Sequence, residues 1–148
     1  MTDKEKMAIA IQEAKLAALE GEIPVGAAVF LGDRLVGKGH NTREKGMDIS
    51  GHAEIEALKE AGRTLGRWNL ADCDLYVTLE PCLMCAGAIL QAGIRCLVFG
   101  AADAKGGAVI SAFHVYDDQS FHPPIVTAGI EAETCEELLK DFFQKLRK

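Results

Sequence analysis

The residues of this chain best suited to chemistry fall in two short segments, His52-Ala53-Glu54 and, well downstream, Pro81-Cys82-Leu83-Met84-Cys85. One imidazole and two closely spaced thiols make a three-ligand set for zinc. Zinc held by three protein ligands keeps a fourth position for water or substrate, which is the catalytic rather than the structural arrangement. Glu54, beside the histidine, is the kind of group that moves protons for a water activated in this way.

Those residues need elements to hold them. A helix is expected from about Lys4 to Leu19, with Met7, Ala10, Ile11, Ala14 and Ala18 at helical spacing and Gly21 ending it. Val25 to Leu31 and Arg34 to Gly39 read as strands of a hairpin turning at Gly32-Asp33. A second helix runs from His52 to Ala61 and stops at Gly62. Leu75 to Leu79 is a short buried strand, and Cys82 to Ala92 is an apolar helix entered through Pro81. Arg95 to Phe99 and Ile125 to Thr127 read as further strands. Glu131 to Arg147 reads as a closing helix whose inner stripe is Leu138, Leu139, Phe142, Phe143 and Leu146. Strands alternating with helices imply a layered α/β domain with a partly parallel sheet. On this layout His52 begins one helix while Cys82 and Cys85 share the first turn of another, where the partial positive charge of the helix end favours thiolates.

Composition narrows the function classes. A chain of 148 residues has room for one sizeable core, and no repeat, low-complexity tract or linker divides it, so residues 1–148 are read as a single domain. No apolar run approaches a membrane span, and the opening residues lack the basic-then-apolar order of an export signal. Five cysteines in such a chain point to a reducing cytoplasm and free thiols. The net charge of −6 argues against broad, non-specific nucleic-acid affinity, although a local basic patch is compatible with it.

Taken singly, the residues admit plainer readings. Cys82 and Cys85 between a strand and a helix could be a redox pair, which would leave His52 and Glu54 without a role. A structural zinc site would need a fourth ligand from Cys73, Cys96, His114 or His122. Cys73, Cys96 and Cys135 read as buried thiols, His40 and His114 as local hydrogen-bonding residues, and Asn41 as a turn former.

The two segments together resemble the signature of the cytidine/deoxycytidylate deaminase superfamily of zinc hydrolases. The stretch Leu75-Tyr76-Val77-Thr78-Leu79-Glu80-Pro81-Cys82-Leu83-Met84-Cys85-Ala86-Gly87-Ala88, with Val98-Phe99-Gly100-Ala101 and Asp103-Ala104-Lys105 after it, is similar to the bacterial tRNA-specific adenosine deaminases. The similarity runs from the first helix to Leu138-Leu139-Lys140-Asp141-Phe142-Phe143, nearly the whole chain. It implies a three-layer α/β/α domain around a central mixed sheet of about five strands. It also implies zinc on His52, Cys82 and Cys85, with Glu54 as the proton shuttle. Asn41 and the backbone around Ala53 would hold the base, with Asp103 and His122 nearby. The implied assembly is a homodimer, and the implied reaction is adenosine to inosine in a tRNA anticodon. A free nucleobase or nucleoside (guanine, cytosine or adenosine) is the alternative substrate, and a non-catalytic zinc-stabilised interaction domain the alternative class. Three stretches depart from the tRNA branch: Ile49-Ser50-Gly51 before His52, Arg67-Trp68-Asn69-Leu70, and Phe121-His122-Pro123-Pro124. All three bear on substrate rather than on the metal chemistry.

Overall fold

In a computed structural model, residues 1–117 and 122–147 are described, and Phe121 of the 121–124 stretch lies outside them. The chain begins with helix α1 (Asp3–Leu19), closed at its start by a reciprocal capping box. Thr2 Oγ1 accepts the Glu5 N–H (3.1 Å) and the Glu5 carboxylate accepts the Thr2 N–H (2.9 Å). Strands β1 (Gly26–Leu31) and β2 (Arg34–His40) form the expected hairpin. After a four-residue helical turn, α2 (Arg43–Gly46), come α3 (Ala53–Leu65), β3 (Asp74–Leu79), α4 (Leu83–Ala92), β4 (Cys96–Ala101), β5 (Ile125–Ala128) and α5 (Ala132–Leu146).

The five strands form one mixed sheet in the order β2-β1-β3-β4-β5. β1 is antiparallel to both β2 and β3, whereas β3, β4 and β5 run parallel. Alternation along the strands sends Ala27, Val29, Leu75, Val77, Leu97 and Phe99 to one face, packed with residues of α3 and α4. Ala28, Phe30, Tyr76 and Val98 go to the other face, against Met7, Ala10 and Ile11 of α1 and Cys135 of α5. This is the expected three-layer α/β/α arrangement.

The seat of α3 on β2 decides where the candidate ligand His52 lies. Ala53, Ala57 and Ala61, each fully buried, recur every four residues along α3 and form a flat stripe of small side chains. Opposite them, β2 offers Gly37 and Gly39. A Cβ on Gly39 would stand 2.6 Å from Glu56 Cβ, 2.8 Å from Ala57 N and 2.9 Å from Ala53 O, so only glycine lets the helix backbone lie this close.

The structure corrects three local readings. α3 does not stop at Gly62 but continues to Leu65, where Gly66 takes a left-handed conformation (φ 70°). Leu58 and Leu65 both pack on the core, so the apolar stripe carries the helix through a glycine that costs about 1 kcal/mol relative to alanine. In α5 the buried residue is Cys135, while Phe143 and Leu146 are exposed. The stripe Phe142, Phe143, Leu146 overhangs a cavity rather than entering the core. Third, α2 and the short 3₁₀ turn Val115–Asp117 have no counterpart in the sequence reading.

Candidate active site

β3 and β4 are parallel, and their carboxyl ends lead directly to Cys82 and Asp103. β2, joined to β1 by the Gly26↔His40 pairing, delivers Asn41 to the same edge of the sheet. Crevices beyond the carboxyl ends of strands are the usual ligand sites of open α/β sheets. A cavity of about 450 Å³ lies here, lined by Glu22, Asn41, His52, Ala53, Glu54, Glu80, Cys82 and Asp103 among others, with Phe142, Phe143 and Leu146 along its rim.

His52 is the N-cap residue of α3 and Cys82 that of α4, and neither uses its side chain to cap its helix. Cys85, fully buried, occupies the third position of α4. The His52 Nδ1 atom stands 3.6 Å from Cys82 Sγ and 3.5 Å from Cys85 Sγ. A tetrahedral ion with ordinary Zn–S and Zn–N bond lengths would place nitrogen and sulfur about 3.6 Å apart. Among the described residues no fourth His, Cys, Asp or Glu joins this cluster, so a tetrahedral ion would keep one position open.

The protonation of the cluster supports the same fit. The hydrogen bond from Cys85 holds the Cys82 thiol down to about 3; burial opposes this and His52 adds to it. Bonding to Cys82 pushes both Cys85 and His52 upward. Cys82 is thereby favoured in the thiolate form that a divalent cation takes as a donor.

Glu54 is buried at 4% exposure and faces the cavity from the first turn of α3. Desolvation pushes its carboxyl up to about 7, with the Cys82 thiolate adding to the shift and His52 opposing it. A carboxyl poised near neutrality can both accept and donate a proton at working pH.

The remaining residues singled out in the sequence divide. Asn41 is buried and lines the cavity, and its Oδ1 accepts the Arg43 N–H at 3.0 Å. That bond fixes the orientation of its carbonyl and leaves the amide N–H₂ to address a ligand. Ala53 lines the cavity at the start of α3. Asp103 lines it too, while its Oδ1 accepts the N–H groups of Lys105 (3.2 Å) and Gly106 (3.1 Å). His122 is exposed and does not line the cavity. His40 bonds Glu13 and Glu20, as a local role requires. All five cysteines are free; Cys73 and Cys135 are buried, whereas Cys96 is only half-buried.

Two buried acids in the cavity wall escaped sequence reasoning. Glu22 accepts the N–H groups of Glu44 (3.1 Å) and Lys45 (2.7 Å), pinning α2 to the wall. Glu80 does the equivalent for residues 103–111 on the other side. Glu80 carried a signal, since it directly precedes Pro81-Cys82. Glu22, next to a turn glycine, carried none.

Comparison with known proteins agrees with this geometry. The profile of the MafB19-like deaminases matches residues 1–147. The tRNA-specific adenosine deaminase of Haemophilus influenzae is 45% identical, the match covering 99% of this chain and 86% of that one. A structure solved in work on A-to-I editing by tRNA:A34 deaminases superposes with a TM-score of 0.88 at 40% identity, over 91% of this chain and 99% of the other. The guanine deaminase of Nitrosomonas europaea superposes with a TM-score of 0.83 at 25% identity, covering 94% and 83%. With a signature, a fold and a donor cluster that all coincide, the chain belongs to the MafB19-like deaminase family, within the cytidine deaminase superfamily and alongside the bacterial tRNA-specific adenosine deaminases.

Proposed function

We propose that this chain is a single zinc-dependent deaminase domain that hydrolyses adenosine to inosine in a tRNA anticodon, in the cytoplasm. The observation that carries the chemistry is a three-donor cluster with no fourth donor among the described residues, beside a buried carboxyl in a cavity. The choice of tRNA rests on the 40–45% identity to tRNA-specific adenosine deaminases over nearly the whole chain.

Zinc on His52, Cys82 and Cys85 would supply Lewis acidity that makes water a nucleophile near neutral pH. Glu54 takes a proton from the attacking water and passes it to N1 of the purine ring, then moves a proton to the departing amine, which leaves as ammonia. Water enters at C6 and the ring keeps its oxygen, so the balance is adenosine plus water to inosine plus ammonia. The Asn41 amide, its carbonyl already bonded to Arg43, donates to an acceptor on the base. The Ala53 N–H, at the positive end of α3, faces the same ligand. Asp103 holds the turn at the cavity wall, and His122 contributes to RNA contact from outside the cavity.

The chain acts as a homodimer, paired through the exposed apolar surface where Trp68 stands beside Ile55, Leu58, Ala88 and Ala92 between α3 and α4. Light scattering tests this directly, and a monomer at micromolar concentration would refute it.

The activity test is ammonia release by zinc-loaded protein from an anticodon stem-loop with a wobble adenosine, against adenosine, guanine and cytosine as monomers. Turnover of the stem-loop alone is expected. Turnover of monomers alone would assign a free-base or nucleoside deaminase, and no turnover with zinc still needed for folding would assign an interaction domain. Glu54→Ala should retain zinc and lose activity by at least about a hundredfold, the scale of a general acid–base.

A further inference from the structure

Glu80 is a buried carboxylate that the reaction itself leaves unused. Its Oε2 accepts three successive N–H groups, those of Val109 (3.1 Å), Ile110 (2.8 Å) and Ser111 (3.0 Å). Its Oε1 accepts the Asp103 N–H (3.1 Å) and the Ser111 hydroxyl. Five donors meet a group with about four lone-pair directions, so none remains for a substrate. Gly107 lies flat against it, where a Cβ would overlap the carboxylate. The Ala108 N–H adds a bond to the Pro81 carbonyl at 2.8 Å.

Residues 103–111 hold no strand or helix, so their place depends on these bonds rather than on a ladder of their own. The gripping stretch is Glu80-Pro81, and the next residue is the donor Cys82. One short segment thus supplies a metal donor and fixes, relative to it, the segment whose Asp103 lines the cavity. We propose that Glu80 is a positioning residue, clamping segment 103–111 against the donor cluster and so setting how tightly substrate binds. The proposal rests on the deaminase reading.

Glu80→Gln tests it with the smallest change. The amide oxygen can still serve Val109, Ile110 and Ser111, but the N–H₂ then faces the Asp103 N–H, donor against donor, while the Ser111 hydroxyl can turn to accept. The Asp103 end of the clamp is released and the other end kept. Hydrogen exchange should show a faster Asp103 amide with Val109 and Ile110 still protected. KM should rise about tenfold, the loss of one charge-assisted bond, with kcat within about threefold and zinc content unchanged. Ser111→Ala, which removes only the hydroxyl, should raise KM by about threefold to fivefold, and it carries the test alone if Glu80→Gln does not fold. A wild-type KM in either folded variant, or a fall in kcat without a rise in KM, overturns the proposal. A wild-type protein inactive on every nucleobase would sink the deaminase reading, and exchange at Asp103 would still decide whether the clamp exists.

Discussion

Placing a methyl group on Gly39 should disable the donor cluster without touching it. The new Cβ would meet Glu56 Cβ at 2.6 Å, Ala57 N at 2.8 Å and Ala53 O at 2.9 Å, where unstrained contacts lie near 3.5 Å. The start of α3 must therefore retreat by roughly 0.7 Å, because most of what it meets is helix backbone. Overpacking of this kind costs about 1–3 kcal/mol, and Tm falls by about 2–4 °C for each kcal/mol in a chain of this size. The larger effect is on the site. His52 is the N-cap residue of that same helix end, and its Nδ1 sits 3.5–3.6 Å from the two sulfurs. A shift of 0.7 Å far exceeds the ~0.2 Å tolerance of a metal–ligand bond. Gly37→Ala is the control, since its Cβ strikes Ala57 O and Ala61 N, a turn further from His52. Both variants should lose similar stability in thermal melts. Zinc competition with a chromophoric chelator should show a much weaker site in Gly39→Ala, and deamination should fall about a hundredfold. Equal zinc affinity in the two variants would refute the claim that α3 transmits packing on β2 to the ligand.

Two further outcomes follow from the same geometry. Cys82→Ser should abolish stoichiometric zinc by elemental analysis while the chain still folds, because Cys82 is only half-buried and the sheet core excludes it. His40 should make stability depend on pH: burial works against its proton, but the Glu13 and Glu20 carboxylates prevail and raise its pKa, with Lys38 and Lys45 on the far sides of those acids. The folded chain then holds a proton that the unfolded chain releases first. The gain is complete below the ordinary imidazole value and vanishes as pH rises through the folded-state value, so His40→Gln should lower Tm more at about pH 5.5 than at about pH 9.

The donor set was legible because its information is local: two residues three apart at a helix start, and a histidine with an acid two residues on. The sheet was legible for a related reason, since Leu75–Leu79 and Arg95–Phe99 are apolar runs bounded by turn residues and too short for helices. What escaped was information spread between distant segments. Glu22 looks like a surface acid, and Glu80 is marked only by its place before Pro81-Cys82, until the N–H groups of residues 44–45 and 103–111 are seen to converge on them. The stripe of α5 was found but its partner misassigned, because periodicity shows that a face is apolar and not whether it meets a core or a cavity rim. Gly62 misled because a glycine within a helix and one that ends it look alike without φ.

The helix starts explain why the site sits where it does. At α1 Thr2 Oγ1 takes the Glu5 N–H and the Glu5 carboxylate takes the Thr2 N–H, a reciprocal cap that turns both side chains onto their own helix start. At α2 they pass to the buried carboxylate of Glu22. At α3 and α4 the N-cap side chains, His52 and Cys82, make no cap hydrogen bond and meet each other instead. Forgoing a side-chain cap costs about 1 kcal/mol at each helix. In exchange, the positive ends of two helices converge on the donor cluster. The cap positions, where the backbone has left one element and not yet entered the next, are the places where side chains can reach across the sheet edge to a common point. Stability is instead drawn from the alanine–glycine seat of α3 and the buried core beneath α4, so the cluster is held rigidly by contacts that contain no ligand. That division predicts that seat variants will grade with distance from His52, Gly39→Ala moving Tm and metal affinity together and Gly37→Ala moving Tm alone, whereas Cys82→Ser in the cluster moves metal affinity.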